Sequence, residues 1–119
     1  MNELKQLTDQ LQLKIDELKS RYLTNEKPEN KRDRDFFMYV KDQTTPTYEM
    51  IQQWQEVALA FVKDRKVQVH PQQIESTSEN LELLLMHSYY IDVKRKRYME
   101  LHHSIHYVFD RLLEDLESI

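Results

Sequence analysis

The chain has 119 residues and a formal net charge of −4, with 39% hydrophobic and 32% charged residues. This length predicts a single domain, residues 1–119, that buries enough surface to fold without disulfides. The apolar spacing described below makes this domain a helical bundle. The chain contains no cysteine and no glycine, which argues against thiol chemistry, thiolate metal sites and the phosphate-binding loops that depend on glycine. The negative net charge argues against general nucleic-acid binding.

The N-terminal sequence and the distribution of apolar residues predict a cytoplasmic protein. The first ten residues, MNELKQLTDQ, lack the basic and apolar regions of a signal peptide. No apolar run approaches the about 20 residues that a bilayer-spanning helix needs. We therefore expect no contact with a membrane.

The first predicted helix runs from about residue 2 to residue 23. Its apolar residues recur at helical spacing on one narrow stripe, with charged residues elsewhere. The stripe consists of Leu4, Leu7, Leu11, Ile15, Leu18 and Tyr22. The following sequence, TNEKPENKRD, is polar around one proline and predicts a connection in which the chain turns.

The second predicted helix extends from about residue 34 to residue 66 and includes Pro46. Apolar residues stay in phase on both sides of this proline, which indicates one helical axis. Proline removes a backbone hydrogen bond and disfavours helix at Thr45. We therefore predict a kink or a break near Pro46. In the alternative, residues 34–44 form a separate helix and the fold is a five-helix array.

Two further helices follow. The third begins at Pro71, which suits a first helical turn, and ends around residues 88–90. Its core face carries Ile74, Thr77, Ser78, Leu81, Leu84, Leu85 and Ser88. Asp92 is a suitable N-cap for a fourth helix that ends near Glu117. The core stripe of that helix consists of Tyr98, Leu101, Ile105, Val108, Phe109, Leu112 and Leu116.

Four main helices with short links and no strand pattern predict an all-α, antiparallel up-and-down four-helix bundle. Residues from the last three helices are expected to share one core: Trp54, Phe61, Leu81, Leu85, Ile105 and Phe109. Other apolar residues fall outside the core stripes and would favour a protein partner or a homodimer if they formed one patch: Leu13, Leu23, Leu83, Met86 and Tyr107.

The third helix also carries a resemblance to a known family. The string VHPQQIESTSENLELLLMHSYY, followed by a basic KRKRY sequence, resembles the YppE-like family of small bacterial proteins. Its most specific elements are His70-Pro71, Gln73-Ile74, Glu79-Asn80 and His87-Ser88. The resemblance implies a soluble helical bundle from low-GC Gram-positive bacteria, and it implies no catalytic residues.

A line of hydrogen-bonding residues borders the core face of the third helix. It consists of His70, Gln73, Thr77, Asn80 and His87, and we regard it as a candidate polar groove. The simpler interpretation is that these groups cap the helix, bond back to the preceding turn or contact boundary water.

Histidines on the last helix are the candidate metal ligands. His102 and His106 lie one turn apart, with His103 beside them, and Glu79, Glu82 or His87 on the third helix could complete a set. The di-iron bundles carry a Glu-x-x-His motif on each of two helices, whereas this chain has a single one, Glu100 to His103. We therefore predict no metal and no cofactor.

Catalysis by a serine or a histidine has little support. His70 or His87 could be combined with Ser78, Ser88 or Asp92, but these residue types are common in any sequence. Without an oxyanion hole or a strained backbone they specify no chemistry. We therefore do not expect an enzyme, and a hydrolytic or metal-dependent enzyme is the least favoured alternative.

The charge pattern predicts a basic end of the bundle. Lys94, Arg95, Lys96 and Arg97 occupy the start of the last helix, where the helix dipole disfavours cations. In an up-and-down bundle the loop with Lys27, Lys31, Arg32 and Arg34 reaches the same end. Carboxylates nearby could neutralise these cations instead: Glu26, Glu29, Asp33, Asp35 and Asp92.

The sequence thus favours a non-enzymatic protein-interaction module. Its partner would be another protein, either a different chain or a second copy of this one. The alternative function is binding of an anion or a nucleic acid at the basic end.

Overall fold

The computed structural model describes residues 2–63 and 65–118, so Met1, Asp64 and Ile119 of the predicted domain lie outside the described residues. The described residues form four helices and no strands. They are α1 (Asn2–Thr24), α2 (Arg34–Val62), α3 (Pro71–Tyr90) and α4 (Arg95–Glu117). The predicted all-α four-helix bundle is confirmed. No helix within the described residues is long and apolar enough to cross a membrane.

The helices do not form a square in cross-section. α1 and α3 each pack against all three other helices, whereas the described backbones of α2 and α4 do not approach each other. α1 and α3 therefore lie on the short diagonal of a rhombus. Trp54 of α2 and Phe109 of α4 bridge the long diagonal, with ring centroids 5.3 Å apart and ring planes at 66°. These large side chains fill the space between the two distant helices.

The core follows the predicted apolar stripes. All six residues expected to share a core belong to one buried cluster, and so does the complete stripe of α1. Trp54, Leu85 and Phe109 are at most 1% exposed. The α4 stripe is buried from Tyr98 to Leu112, while Leu116 is partly buried against the cluster. Helical periodicity therefore identified the buried faces correctly.

Pro46 lies inside a continuous helix. Residues 34–62 form one helix, so the predicted break does not occur and the five-helix alternative is wrong. Pro46, Thr45 and Asp42 are all exposed. The Asp42 carbonyl, which loses its normal partner at the proline, therefore belongs to the exposed side of α2. The Thr45 hydroxyl donates to the carbonyl of Lys41 over 2.6 Å in the same turn.

The loop between α2 and α3 is fastened to α4 by a buried carboxylate. Asp115, 3% exposed, accepts hydrogen bonds from the backbone N–H of Gln68 at 3.0 Å and of Val69 at 3.1 Å. The Gln68 side-chain amide also donates to Asp115 over 3.2 Å. α3 then begins as predicted, with Pro71 in its first turn and the Gln73 side chain accepting from the N–H of His70 at 2.9 Å.

Candidate functional site

The two basic sequences meet at one end of the bundle. We call their eight cations the basic pole: Lys27, Lys31, Arg32, Arg34, Lys94, Arg95, Lys96 and Arg97. The Lys31 ammonium lies 3.0 Å from Asp92 Oδ2, which joins the α1–α2 loop to the α3–α4 loop. The Tyr22 hydroxyl donates to the Val93 carbonyl over 2.6 Å, which holds the end of α1 at the same place.

The basic pole is exposed and incompletely neutralised. All eight cations are exposed, whereas residues 26–35 and 92–97 contain five carboxylates. Only two of the cations form ion pairs among the described residues, Lys31 with Asp92 and Arg97 with Glu100 at 3.9 Å. Asp33 instead caps α2, accepting from the N–H of Asp35 over 3.1 Å. The predicted neutralisation by surface pairs is therefore partial.

Asp92 has a different role from the one predicted. α4 begins at Arg95 with Lys94 as its N-cap and without a side-chain cap bond, so the assignment of Asp92 as the N-cap is wrong. The Asp92 carboxylate lies 2.7 Å from His87 Nδ1 as well as beside Lys31. Desolvation acts to raise the pKa of Asp92, but these two side-chain hydrogen bonds outweigh it and leave the pKa below its usual value.

A groove with one apolar wall opens on the basic pole. It has a volume of about 470 Å³ and is lined by Lys31, Arg32, Met86, Tyr90 and Asp92. Tyr90 is held edge-to-face by the ring of Phe36, with centroids 5.4 Å apart. The groove therefore combines aromatic and thioether surface with Arg32 and the Lys31–Asp92 ion pair, a composition suited to a chain that carries both negative and apolar groups.

Aromatic residues continue from this groove onto α2. Phe37, Met38 and Tyr39 are consecutive and all exposed. Tyr39 contacts Tyr89 at a centroid distance of 6.2 Å, and the Arg21 guanidinium lies 4.1 Å above the Tyr89 ring. The apolar periodicity of α2 did not reveal this exposed run. Three successive apolar side chains on a helix cannot all face one core, so the sequence itself indicated that part of this run would be exposed.

The apolar residues that the sequence placed outside the core stripes are distributed over α1, α3 and α4. All five apolar residues that fell outside the core stripes are exposed, as expected: Leu13, Leu23, Leu83, Met86 and Tyr107. Of these, Met86 lines the groove at the basic pole, while Leu23 lines a separate groove beside Asp16.

Four of the five polar groove candidates lie together. His70, Gln73, Thr77 and Asn80 line a depression of about 440 Å³, which Ser104 and Val108 of α4 help to form. His87 lies about two turns beyond Asn80 on α3 and contacts Asp92 instead. The depression is open and its lining contains no carboxylate, lysine or arginine, so these contacts alone specify no ligand.

The two candidate metal-binding histidines converge on an aspartate that the sequence analysis did not consider. His102 Nε2 and His106 Nε2 each lie 3.0 Å from Asp16 Oδ1 of α1. The expected partners on α3 are wrong: Glu82 accepts from the Gln52 amide, and the third helix contributes nothing to the cluster among the described residues. We call Asp16, His102 and His106 the histidine–aspartate cluster.

The cluster changes the pKa of Asp16 and of His102. Desolvation acts to raise the pKa of Asp16, but hydrogen bonds with His106 and His102 outweigh it and lower the pKa below its usual value. Burial lowers the pKa of His102, although its hydrogen bond with Asp16 opposes the change. The carboxylate is therefore stabilised in its charged form.

Comparison with known proteins gives the family. Residues 8–116 match the model of a bacterial domain of unknown function, DUF1798. The chain belongs to this family. It is 29% identical over 83 residues to the uncharacterized protein YppE of Bacillus subtilis (strain 168), an alignment that covers 69% of this chain and 68% of YppE. The resemblance proposed from the third helix is thereby confirmed.

Solved structures of YppE from Bacillus subtilis share the fold. The crystal structure superposes with a TM-score of 0.85 at 24% identity, covering 98% of this chain and 94% of that one. The solution NMR structure gives a TM-score of 0.80 at 21% identity, covering 99% and 95% of the respective chains. These matches establish the four-helix architecture and leave the function to be argued from the surface of this protein.

Proposed function

We propose that this protein is a non-enzymatic binding module whose basic pole captures an acidic segment of another protein. The observation that carries the proposal is the groove at the pole, in which Met86 and Tyr90 lie beside Arg32 and the Lys31–Asp92 ion pair, with the other cations of the pole around them. Cations around an apolar wall select an acidic chain that also presents an apolar side chain.

The charge distribution supports an acidic partner. The protein as a whole carries a net charge of −4, so the excess of cations at the pole is local. A local positive field steers negatively charged surfaces to this end and orients them on arrival. Arg95 and Lys96 also lie at the N-terminal end of α4, where exposed N–H groups and the helix dipole add to the positive potential.

The apolar groups favour a protein over a nucleic acid. The groove wall is formed by Met86 and by Tyr90, whose ring is held in place by Phe36. Exposed Phe37, Met38 and Tyr39 extend apolar surface next to it. Such surface contributes binding free energy with an apolar side chain of a peptide, whereas contacts with phosphates alone would leave it exposed to water.

The test uses two probes of equal charge. Fluorescence anisotropy would compare a synthetic Asp/Glu-rich peptide carrying one Phe and one Leu with a single-stranded oligonucleotide. We expect the parent protein to bind the peptide, and we expect the double charge reversal R95E/K96E to weaken binding by about tenfold or more at low salt. The difference should shrink as salt rises, because exposed charges are screened beyond about 8 Å at physiological ionic strength.

A matched charge reversal elsewhere provides the control. Lys63 and Lys66 are exposed and follow α2 at the other end of the bundle, so K63E/K66E changes the net charge equally without touching the pole. This variant should bind the peptide nearly as the parent does. Equal weakening by both variants, or preference for the oligonucleotide, would reject the proposed function.

A further inference from the structure

We propose that Asp16, His102 and His106 form a binding site for a divalent transition-metal ion of the Zn²⁺ class. The sequence predicted no metal because the chain lacks the paired Glu-x-x-His motifs of the di-iron bundles, and the candidate partners of the two histidines were placed on α3. In the structure Asp16 of α1 provides the third ligand. These three residues do not belong to the basic pole.

The arrangement of ligands is set by the helices. His102 and His106 are four residues apart, so one turn of α4 places both rings on the same side, with centroids 4.6 Å apart. α1 packs against α4 and presents Asp16 to both rings. Two helices therefore hold the three groups without any contribution from a loop, which is how metal sites of helical bundles are built.

The distances suit one ion. All three ligand atoms lie within 4.8 Å of one another, and each histidine Nε2 is 3.0 Å from Asp16 Oδ1. Ligands about 2.1 Å from a tetrahedral Zn²⁺ are separated by about 3.3 Å. Small side-chain rotations would therefore bring the set to coordination distance. Each ring would then carry its proton on Nδ1, because Nε2 must offer its lone pair to the ion.

The surroundings leave a coordination position open. Asp16 lines a groove of about 400 Å³ together with Lys19, Ser20, Leu23 and Thr24. An ion held by two histidines and one carboxylate would complete its coordination with water or a small ligand from this groove. Lys19 is the one cation in the groove lining, and its positive charge opposes a bound cation. The substitution K19Q should consequently tighten metal binding.

Isothermal titration calorimetry would measure the binding of Zn²⁺ to the untagged protein in a buffer that does not chelate metals. We expect one ion per chain, and a loss of affinity of about tenfold or more in each of D16N and H106Q. Both residues are at least one-quarter exposed, so these variants should remain folded, which circular dichroism checks. H103Q is the matched control, because His103 is an exposed histidine on the same helix and lies outside the cluster.

A second measurement reports the geometry. Co²⁺ bound by three protein ligands and one water should give the visible absorption of a tetrahedral site, and this absorption should vanish in D16N and persist in H103Q. Absence of Zn²⁺ binding by the parent would overturn the proposal. Equal weakening by H103Q and H106Q would overturn it too, because it would mean that scattered histidines bind the metal.

Discussion

The hydroxyl of Tyr98 is the donor in its 2.6 Å hydrogen bond with Ser88 Oγ. The assignment follows from counting protons, since the single Ser88 hydroxyl proton is used in a 2.6 Å bond to the Leu84 carbonyl. Trp54 and Thr8 repeat the arrangement between α2 and α1: Trp54 Nε1 donates to Thr8 Oγ1 over 3.0 Å, and Thr8 donates to the Leu4 carbonyl. A small hydroxyl residue on a core face thus satisfies a buried aromatic donor on a neighbouring helix.

The Tyr98 bond predicts a pH-dependent stability. Burial raises the pKa of Tyr98 to about 12, although its bond with Ser88 opposes the rise. Tyrosine in the unfolded chain ionises near pH 10. The neutral Tyr98 hydroxyl therefore makes its full contribution to the free energy of unfolding below about pH 10. This contribution is lost as the pH rises from there towards about 12. We expect Y98F to lower the free energy of unfolding by about 1 kcal/mol at pH 8 and to flatten its decline at high pH.

Urea unfolding between pH 8 and pH 11 checks this prediction. Y107F is the control, because Tyr107 lies on the same helix and is 53% exposed. The same alkaline decline in the parent and in Y98F would show that another group causes it.

Asp115 should be important for stability although it is far from both proposed sites. In D115N an NH2 group replaces one carboxylate oxygen and cannot accept a hydrogen bond, so one of the two N–H bonds that Gln68 and Val69 donate is lost, and the remaining acceptor is neutral. Loss of a buried bond to a charged group costs about 1.5 to 3 kcal/mol. We expect a destabilisation of that size, measured by chemical unfolding. D110N is the control, since Asp110 is exposed on the same helix, and an equal effect of both changes would refute the assigned role of Asp115.

A substitution at Leu85 tests whether α2, α3 and α4 share one core. It is 1% exposed, whereas Leu83 on the same helix is 44% exposed. Core Leu→Ala substitutions cost about 2 to 5 kcal/mol, so L85A should fall in this range and L83A should have a small effect. A cost below about 1 kcal/mol for L85A in reversible unfolding would contradict its placement.

The helices and their buried faces could be predicted from the sequence because both depend on the local spacing of apolar residues along a helix. Leu4 to Tyr22 on α1 and Tyr98 to Leu112 on α4 are buried as the spacing indicated. At Pro46 the sequence left a kink and a break open, because a local rule cannot tell whether a helix will continue through a proline on its exposed side. The end of α3 at Tyr90 was predicted, but its left-handed C-cap was not: Ile91 adopts φ 50° and ψ 45° in a chain without glycine.

The polar sites were harder to predict because each depends on a contact between distant residues. Asp16 meets His102 across 86 positions and Asp115 meets Gln68 across 47. Which carboxylate reaches which partner depends on the rotation of each helix about its own axis, and apolar periodicity fixes that rotation only approximately. Asp92 looked like an N-cap because its residue type and position were suitable, but its side chain turns to His87 and Lys31.

The most direct test of the proposed function is photo-crosslinking in the native cell. A photoreactive phenylalanine analogue at Tyr90 would lie in the groove at the basic pole, and the same analogue at Tyr107 provides an exposed position on α4 away from it. We predict that position 90 yields a discrete protein adduct whose crosslinked peptide is rich in Asp and Glu, and that R95E/K96E diminishes this adduct. Adducts that are equal at both positions, or a crosslink to nucleic acid at position 90, would contradict the proposal.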